Sequence, residues 1–339
     1  MRRILSGNPM KVLIAGLGSI GRRHLRHLAA LGVSEFILYR THQSTLPDEE
    51  LDGYAVETDL QAALAHQPDA VVISNPTSLH LDVAIPAAEQ GCHILLEKPV
   101  SDSMARLDVL QKTAARSGSR ILVGFQFRYH PGLRKVAELL SENQLGRPVS
   151  FSAHWGEYLP GWHPWEDYRQ SYSARKDLGG GVILTLTHPF DYLHWFFGGV
   201  QEMWSFAGQY SQLELDVVDT AVIGIKFENQ VAGSLHLNYV QQPPRHQLEI
   251  VCTEGTIRWD QAEKALQVYH AAEKVWQLHP LPDGFERDVL FHQQMKHFLQ
   301  VANGLADPFC NLEDGIMALE MALAAHRSAE IGQVVRWAK

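Results

Sequence analysis

Lys11-Val12-Leu13-Ile14-Ala15 runs directly into Gly16-Leu17-Gly18-Ser19-Ile20-Gly21. The first five residues make the short apolar run of a parallel strand buried on both faces. Residues 22–31 then place Leu25, Leu28 and Leu31 at helical spacing, and Gly32 stops the run. Three glycines in this spacing, between a strand and a helix, are the fingerprint of a dinucleotide cradle. Gly16 permits the tight turn, Gly18 lets the backbone approach a pyrophosphate, and Gly21 lets helix and strand pack closely. Ser19 and Ile20 open the helix whose N-terminal N–H groups favour the phosphates.

Outward from this stretch the same alternation continues. Residues 35–39 read as a second strand, whose end in such folds carries an acidic residue for the ribose 2′-hydroxyl of NAD. Tyr39-Arg40-Thr41 stands there instead, and a guanidinium at Arg40 suits a 2′-phosphate, which predicts a preference for NADP over NAD. Strands are predicted at 70–73, 93–96 and 120–123, with helices near 60–65, toward Gln90, and from a Ser101 cap through 115. Repeated strand and helix give a doubly wound parallel α/β sheet, with ligands at the carboxyl ends where Gly16–Gly21, Asn75 and Lys98 fall.

A chain of 339 residues exceeds one hydrophobic core, and the texture changes after the last of these strands. The expected division is a cofactor domain over 1–124 and a substrate and oligomerisation domain over 125–339. Strands are predicted at 149–155, 200–210, 220–227, 231–239, 246–252, 256–259 and 265–270, a largely antiparallel, open-faced sheet in an α+β domain. Val222, Leu235 and Leu237 suggest apolar surface left on that sheet. Residues 286–302 and 312–331 have long helical periodicity and read as structural.

A formal charge of −9 opposes a general nucleic-acid surface. No run of about 18 apolar residues is present, so no membrane span is expected. The first nine residues read as a loose end, and Cys92, Cys252 and Cys310 are too scattered for a disulfide framework; a reducing cytoplasm is the expected compartment. None of the 18 histidines sits in a zinc frame. His24 and His27 are three apart on a predicted helix, but read as solvated rather than as metal ligands, and no metal is expected.

The loop Trp162-His163-Pro164-Trp165-Glu166-Asp167-Tyr168-Arg169 combines flat aromatic faces with charged groups, which suits a sugar. Trp162, Trp165, Tyr168 and Arg169 are the candidate substrate contacts.

Glu97-Lys98-Pro99 resembles the glucose-fructose oxidoreductase and inositol dehydrogenase family, Gfo/Idh/MocA. The same family is matched by the Gly16–Gly21 loop, Ser74-Asn75-Pro76 through His80, Gly124-Phe125-Gln126-Phe127-Arg128, and Gly179-Gly180-Gly181 followed by His188 and Asp191. The resemblance spans nearly the whole chain. It implies that Asn75, Pro76, His80, Glu97, Lys98 and Gln126 line the cofactor, that Arg128 and His188 meet substrate, and that Lys98 and His188 handle the proton at the reacting carbon. It also implies pairing into a homodimer or homotetramer through the second domain's sheet. Relatives with Trp-His-Pro-Trp stretches point toward nucleotide-sugar metabolism.

Oxidising an alcohol removes a proton as hydride leaves, and imidazole is the side chain suited to that near neutrality. One departure stands out. Thr185 occupies the position where family members commonly carry Asp, and it cannot hold charge against an imidazolium; either Asp191 compensates or the substrate differs. Spacing by three would set Thr185, His188 and Asp191 on one helix face, bent by Pro189. The expected activity is hydride transfer between NAD(P) and a hydroxyl or carbonyl carbon of a sugar, polyol or nucleotide sugar. The alternatives are reduction of an imine or conjugated substrate, and a non-catalytic NAD(P)-binding regulator. Retention of both Lys98 and His188 argues against the regulator.

Overall fold

The computed structural model describes residues 10–41, 46 and 49–337. It divides into two compact units: one runs to Gln126 and takes in Glu286–Ile316, the other holds Phe127–Phe285 and the chain from Met317.

The first unit alternates β1 (Lys11–Ala15), α1 (Ser19–Ala30), β2 (Glu35–Tyr39), β3 (Ala55–Glu57), α2 (Leu60–Ala65), β4 (Ala70–Ile73), α3 (His80–Glu89), β5 (His93–Leu96), α4 (Leu107–Ser117) and β6 (Ile121–Val123). All its strand pairs are parallel, in the order β3-β2-β1-β4-β5-β6. The order reverses between β1 and β4, which opens a crevice at their carboxyl ends. Val12, Leu13, Ile14 and Val71 to Ile73 are fully buried. Each such side chain contributes about 1.5–3 kcal/mol by leaving water, so the sheet that carries the glycine loop is firmly anchored in the unit's core. Ser101 does not cap a helix. Its hydroxyl accepts from Ser103 N at 3.4 Å, and α4 begins only at Leu107; a serine that bonds forward to its own backbone makes a turn.

The second unit contributes α5 (Pro131–Ser141), β7 (Pro148–Tyr158), α6 (Val182–Thr185), α7 (His188–Phe197), β8 (Val200–Gly208), β9 (Thr220–Phe227), β10 (Ala232–Asn238), β11 (Val240–Cys252), β12 (Gly255–Asp260), β13 (Ala265–His270) and β14 (Val275–Pro280). With β15 (Val335–Arg336) these strands form a sheet in the order β14-β13-β12-β11-β7-β10-β9-β8-β15. Its pairs are antiparallel except β7 with β10. One face buries Phe151, Ala153, Trp155, Ile223 and Ile225. Leu235 pairs with Ile223 and Leu237 with Ala221, so both lie on this buried face, at 0% exposure. The expectation of surface leucines there fails because side chains alternate along a strand. Val222 is on the other face with Phe206, which is 60% exposed.

The two remaining helices are α8 (Asp288–Ala302) and α9 (Leu312–Ile331). A single division near 124 misses the return of residues 286–316 to the first unit. There Asp288 ties Arg23 at 3.3 Å and His27 at 3.2 Å, and Arg23 lies over the Phe291 ring at 4.7 Å.

Candidate functional site

The glycine loop shows what each glycine is for. Gly16 has φ +88°, and a Cβ there would lie 2.4 Å from the Asn75 nitrogen. One on Gly21 would lie 1.9 Å from the Gly16 carbonyl oxygen. These two glycines are required by the fold itself, since no L side chain fits. Gly18 differs: its φ of −72° suits any residue, and a Cβ there would meet nothing within 4 Å. The protein keeps space at Gly18 that its own packing does not use, which fits the close approach of a pyrophosphate. Arg22, which sequence reasoning passed over, braces the loop by donating from Nε to the Leu17 carbonyl at 3.0 Å. Nothing in the sequence distinguishes it from an exposed helix arginine.

Ser19 and Ile20 open α1, and Pro76 precedes the short turn of helix at Thr77–Leu79. Asn75 donates from Nδ2 to the Leu79 carbonyl at 3.1 Å. Arg40 is buried, with its main-chain N–H on the Glu57 carbonyl at 3.1 Å. Gln126 is buried at the end of the unit's main run.

His80 and Glu97, expected to touch the cofactor, are engaged within the unit. His80 is 1% exposed, its Nδ1 2.9 Å from the Pro99 carbonyl and its Nε2 3.0 Å from that of Asn75. Burial pushes its pKa down, against the pull of those carbonyls. Glu97 sets Oε1 2.7 Å from His24 Nε2. Burial alone would raise the Glu97 carboxyl, but the hydrogen bond and charge of His24, then the charge of Lys98, hold it below its ordinary value. His24 itself is fully buried; the reading of a solvated helix histidine is wrong because α8 covers this face, with Phe291 6.1 Å from the His24 ring. Lys98 follows β5 on the same carboxyl edge as the glycine loop, joined to Pro99 by a cis peptide.

In the second unit, Thr185, His188 and Asp191 do not share one helix. Thr185 ends α6, and α7 restarts at His188 with Pro189 in its first turn. A proline lacks the N–H that a mid-helix bond to Thr185 would need, and the first turn is where that lack costs nothing. His188 is 4% exposed and packs between Phe127, 4.8 Å away, and Trp155, 5.5 Å away.

Asp191 is bound by Arg128, with Nε to Oδ1 at 3.0 Å, Nε to Oδ2 at 3.2 Å and Nη2 to Oδ1 at 2.8 Å. Both are buried, and the guanidinium also lies 5.7 Å from the Trp195 ring. Arg128, expected at the substrate, is thus clasped to the first turn of α7, and Asp191 is occupied. Tyr239 donates its hydroxyl to the Ser173 carbonyl at 3.3 Å, and burial pushes that hydroxyl's pKa well up, against the pull of Thr185. Phe127, Trp155 and Tyr239 were missed because each reads from sequence as an ordinary core aromatic.

In the aromatic loop, Trp162 stands edge-on to Tyr239 at 5.7 Å, while Trp165 is 59% exposed with its ring 5.0 Å from His163. His163 Nδ1 lies 2.8 Å from Glu166. Tyr168 accepts from Glu214 N at 3.2 Å, and Arg169 is paired with Asp167 and Glu214.

The oxidoreductase family with an NAD-binding Rossmann fold matches residues 10–125, and the GFO/IDH/MocA C-terminal domain matches 133–258. The chain belongs to the Gfo/Idh/MocA oxidoreductase family. Among Gfo/Idh/MocA relatives, an uncharacterized oxidoreductase of Synechocystis is 30% identical over 213 residues, which is 59% of this chain and 57% of that protein. Myo-inositol 2-dehydrogenase of Thermotoga maritima is 24% identical over 341 residues, covering 95% of this chain and 96% of that one. The structure of levoglucosan dehydrogenase, in complex with NADH and levoglucosan, has the same fold, with TM-score 0.86 at 19% identity over 97% of this chain and 99% of that one. No helix among the described residues is long and apolar enough to cross a membrane.

Proposed function

We propose that the chain transfers a hydride between a nicotinamide dinucleotide and a CH–OH carbon of a small sugar or polyol. The observation that carries this reading is the open space at Gly18 on the same sheet edge as Lys98, in a chain of an NAD-binding oxidoreductase family. A nicotinamide dinucleotide held by Gly16, Gly18 and Gly21 supplies the hydride acceptor or donor. Lys98 stabilises the charge that develops on the substrate oxygen. His188 takes the hydroxyl proton, its ring held by Phe127 and Trp155 and its helix turn by the Arg128–Asp191 pair. Thr185 offers a hydroxyl in place of a charge, and Asp191, the nearby carboxylate, is held by Arg128; either Asp191 compensates through that pair or the substrate differs.

Trp162, Trp165, Tyr168 and Arg169 are assigned to the sugar. Arg40 favours the 2′-phosphate of NADP over NAD. Exposed Phe206 and Val222 support assembly into a homodimer or homotetramer through that sheet face, and the compartment is the cytoplasm. The test is a panel of inositols, anhydrosugars, aldoses and nucleotide sugars, followed by nicotinamide absorbance with each cofactor. Turnover of a CH–OH compound supports the reading; cofactor binding without turnover of any of them leaves the non-catalytic regulator.

A further inference from the structure

Among the buried groups of the first unit, His24 stands beside the Lys98 segment and has no part in the hydride step. It projects from α1, the helix opened by the glycine loop, and its side chain is fully buried. Its Nε2 lies 2.7 Å from Glu97 Oε1, while the other carboxylate oxygen, Oε2, accepts from the Lys98 main-chain N–H at 3.2 Å. Glu97 is itself fixed from behind, its N–H donating to the Ile73 carbonyl at 3.0 Å. Its carboxylate lies against the bare Cα of Gly124, where a Cβ would come within 2.9 Å of Glu97 Cδ. That contact accounts for the glycine at position 124, which seats the carboxylate. Among the described residues His24 Nδ1 is buried with no hydrogen-bond partner, and Nε2 is the ring nitrogen that meets Glu97.

We propose that His24 and Glu97 form a positioning pair that ties the cofactor-binding helix to the main chain carrying Lys98. The proposal rests on the assignment of Lys98 to the reaction. Glu97 takes one hydrogen bond from α1 and one from the Lys98 amide, so a shift of the lysine main chain breaks a charge-assisted bond to a buried carboxylate. Among the described residues, Arg23 on α1, His80 on α3 and Lys98 itself also act on Glu97.

The test uses the full chain and does not depend on knowing the substrate. The Lys98 amine is acylated with trace acetic anhydride across a range of pH, and its labelling is read by peptide mass spectrometry; NADH affinity is read by fluorescence titration on the same samples. His24→Ala and Glu97→Ala should each change the rate or pH midpoint of Lys98 labelling several-fold and leave NADH affinity close to that of the parent. Glu97→Gln, which keeps an acceptor for the Lys98 N–H, should restore most of the parent profile. A drop in melting temperature with an unchanged Lys98 profile would mean that the pair only stabilises the fold, and overturns the proposal. Should Glu97→Ala fail to fold, His24→Asn removes the ring that reaches Glu97 and gives the same reading. Full turnover in Lys98→Met would instead remove Lys98 from the chemistry. The positioning effect of the pair is then still read from Lys98 labelling in the His24 and Glu97 variants.

Discussion

The glycine loop and the surroundings of His188 are built in opposite ways. The loop is written in six consecutive residues between one strand and one helix, and its partners follow from the parallel order of the sheet. His188 packs on Phe127, after the last strand of the first unit, and on Trp155 in β7, and its helix turn is clasped by Arg128 through Asp191. A local motif specifies its own backbone. A constellation drawn from separate segments is specified only by tertiary packing, so the two regions should answer differently to substitution.

The largest expected effect is on the Arg128–Asp191 pair. Removing one buried partner leaves the other charge uncompensated, so Arg128→Ala should cost about 3–5 kcal/mol of stability by denaturant titration. Replacing both with apolar residues of similar size should cost much less. Equal losses from the single and double changes would show that shape, not charge, holds this turn of α7.

His130 comes next. It is fully buried, caps α5 by accepting from Gly132 N at 3.1 Å, and packs against Trp259 and Phe285. Burial lowers its pKa from 6.5 to about 4. The unfolded chain therefore takes up this proton first as pH falls, so the contribution is fully present above pH 6.5 and is lost between there and about 4. The loss amounts to about 3 kcal/mol. His130→Asn, which retains an acceptor for the cap, should flatten that part of the stability curve; an unchanged slope would assign the acid sensitivity to other groups.

Smaller effects are expected at the loop, where they sharpen the contrast. Gly18→Ala should leave the melting temperature unchanged, because its Cβ meets nothing, and weaken NADH or NADPH binding by about tenfold, or 1.4 kcal/mol. Equal affinity would show that the open space is not the phosphate approach. Arg40→Ala should lower affinity for NADPH by less than about tenfold and for NADH hardly at all; equal losses would remove Arg40 as the discriminator.

Legibility in the sequence follows the same division. Strand, glycine turn and helix were readable because a buried parallel strand is apolar throughout and the turn tolerates few residues. The α4 start was not, because Ser101 can serve a helix cap or a turn equally well. Strand β14 was passed over because all but one of its residues are exposed, and no buried face shapes its pattern. The Arg128–Asp191 clasp joins residues 63 apart, and the burial of His24 depends on α8, more than 200 residues further on. No local periodicity encodes either contact.

Direct hydride transfer, with Lys98 and His188 proposed as the groups at the substrate oxygen, leaves an isotopic trace. It is tested most directly with the best substrate from the panel, deuterated at its carbinol carbon, by single-turnover oxidation in the presence of NADP or NAD. Deuterium is expected at the nicotinamide C4 of the reduced cofactor, with Lys98→Met and His188→Ala each slower by about a hundredfold and cofactor affinity retained. Deuterium lost to solvent, or full-rate transfer in both variants, would contradict it.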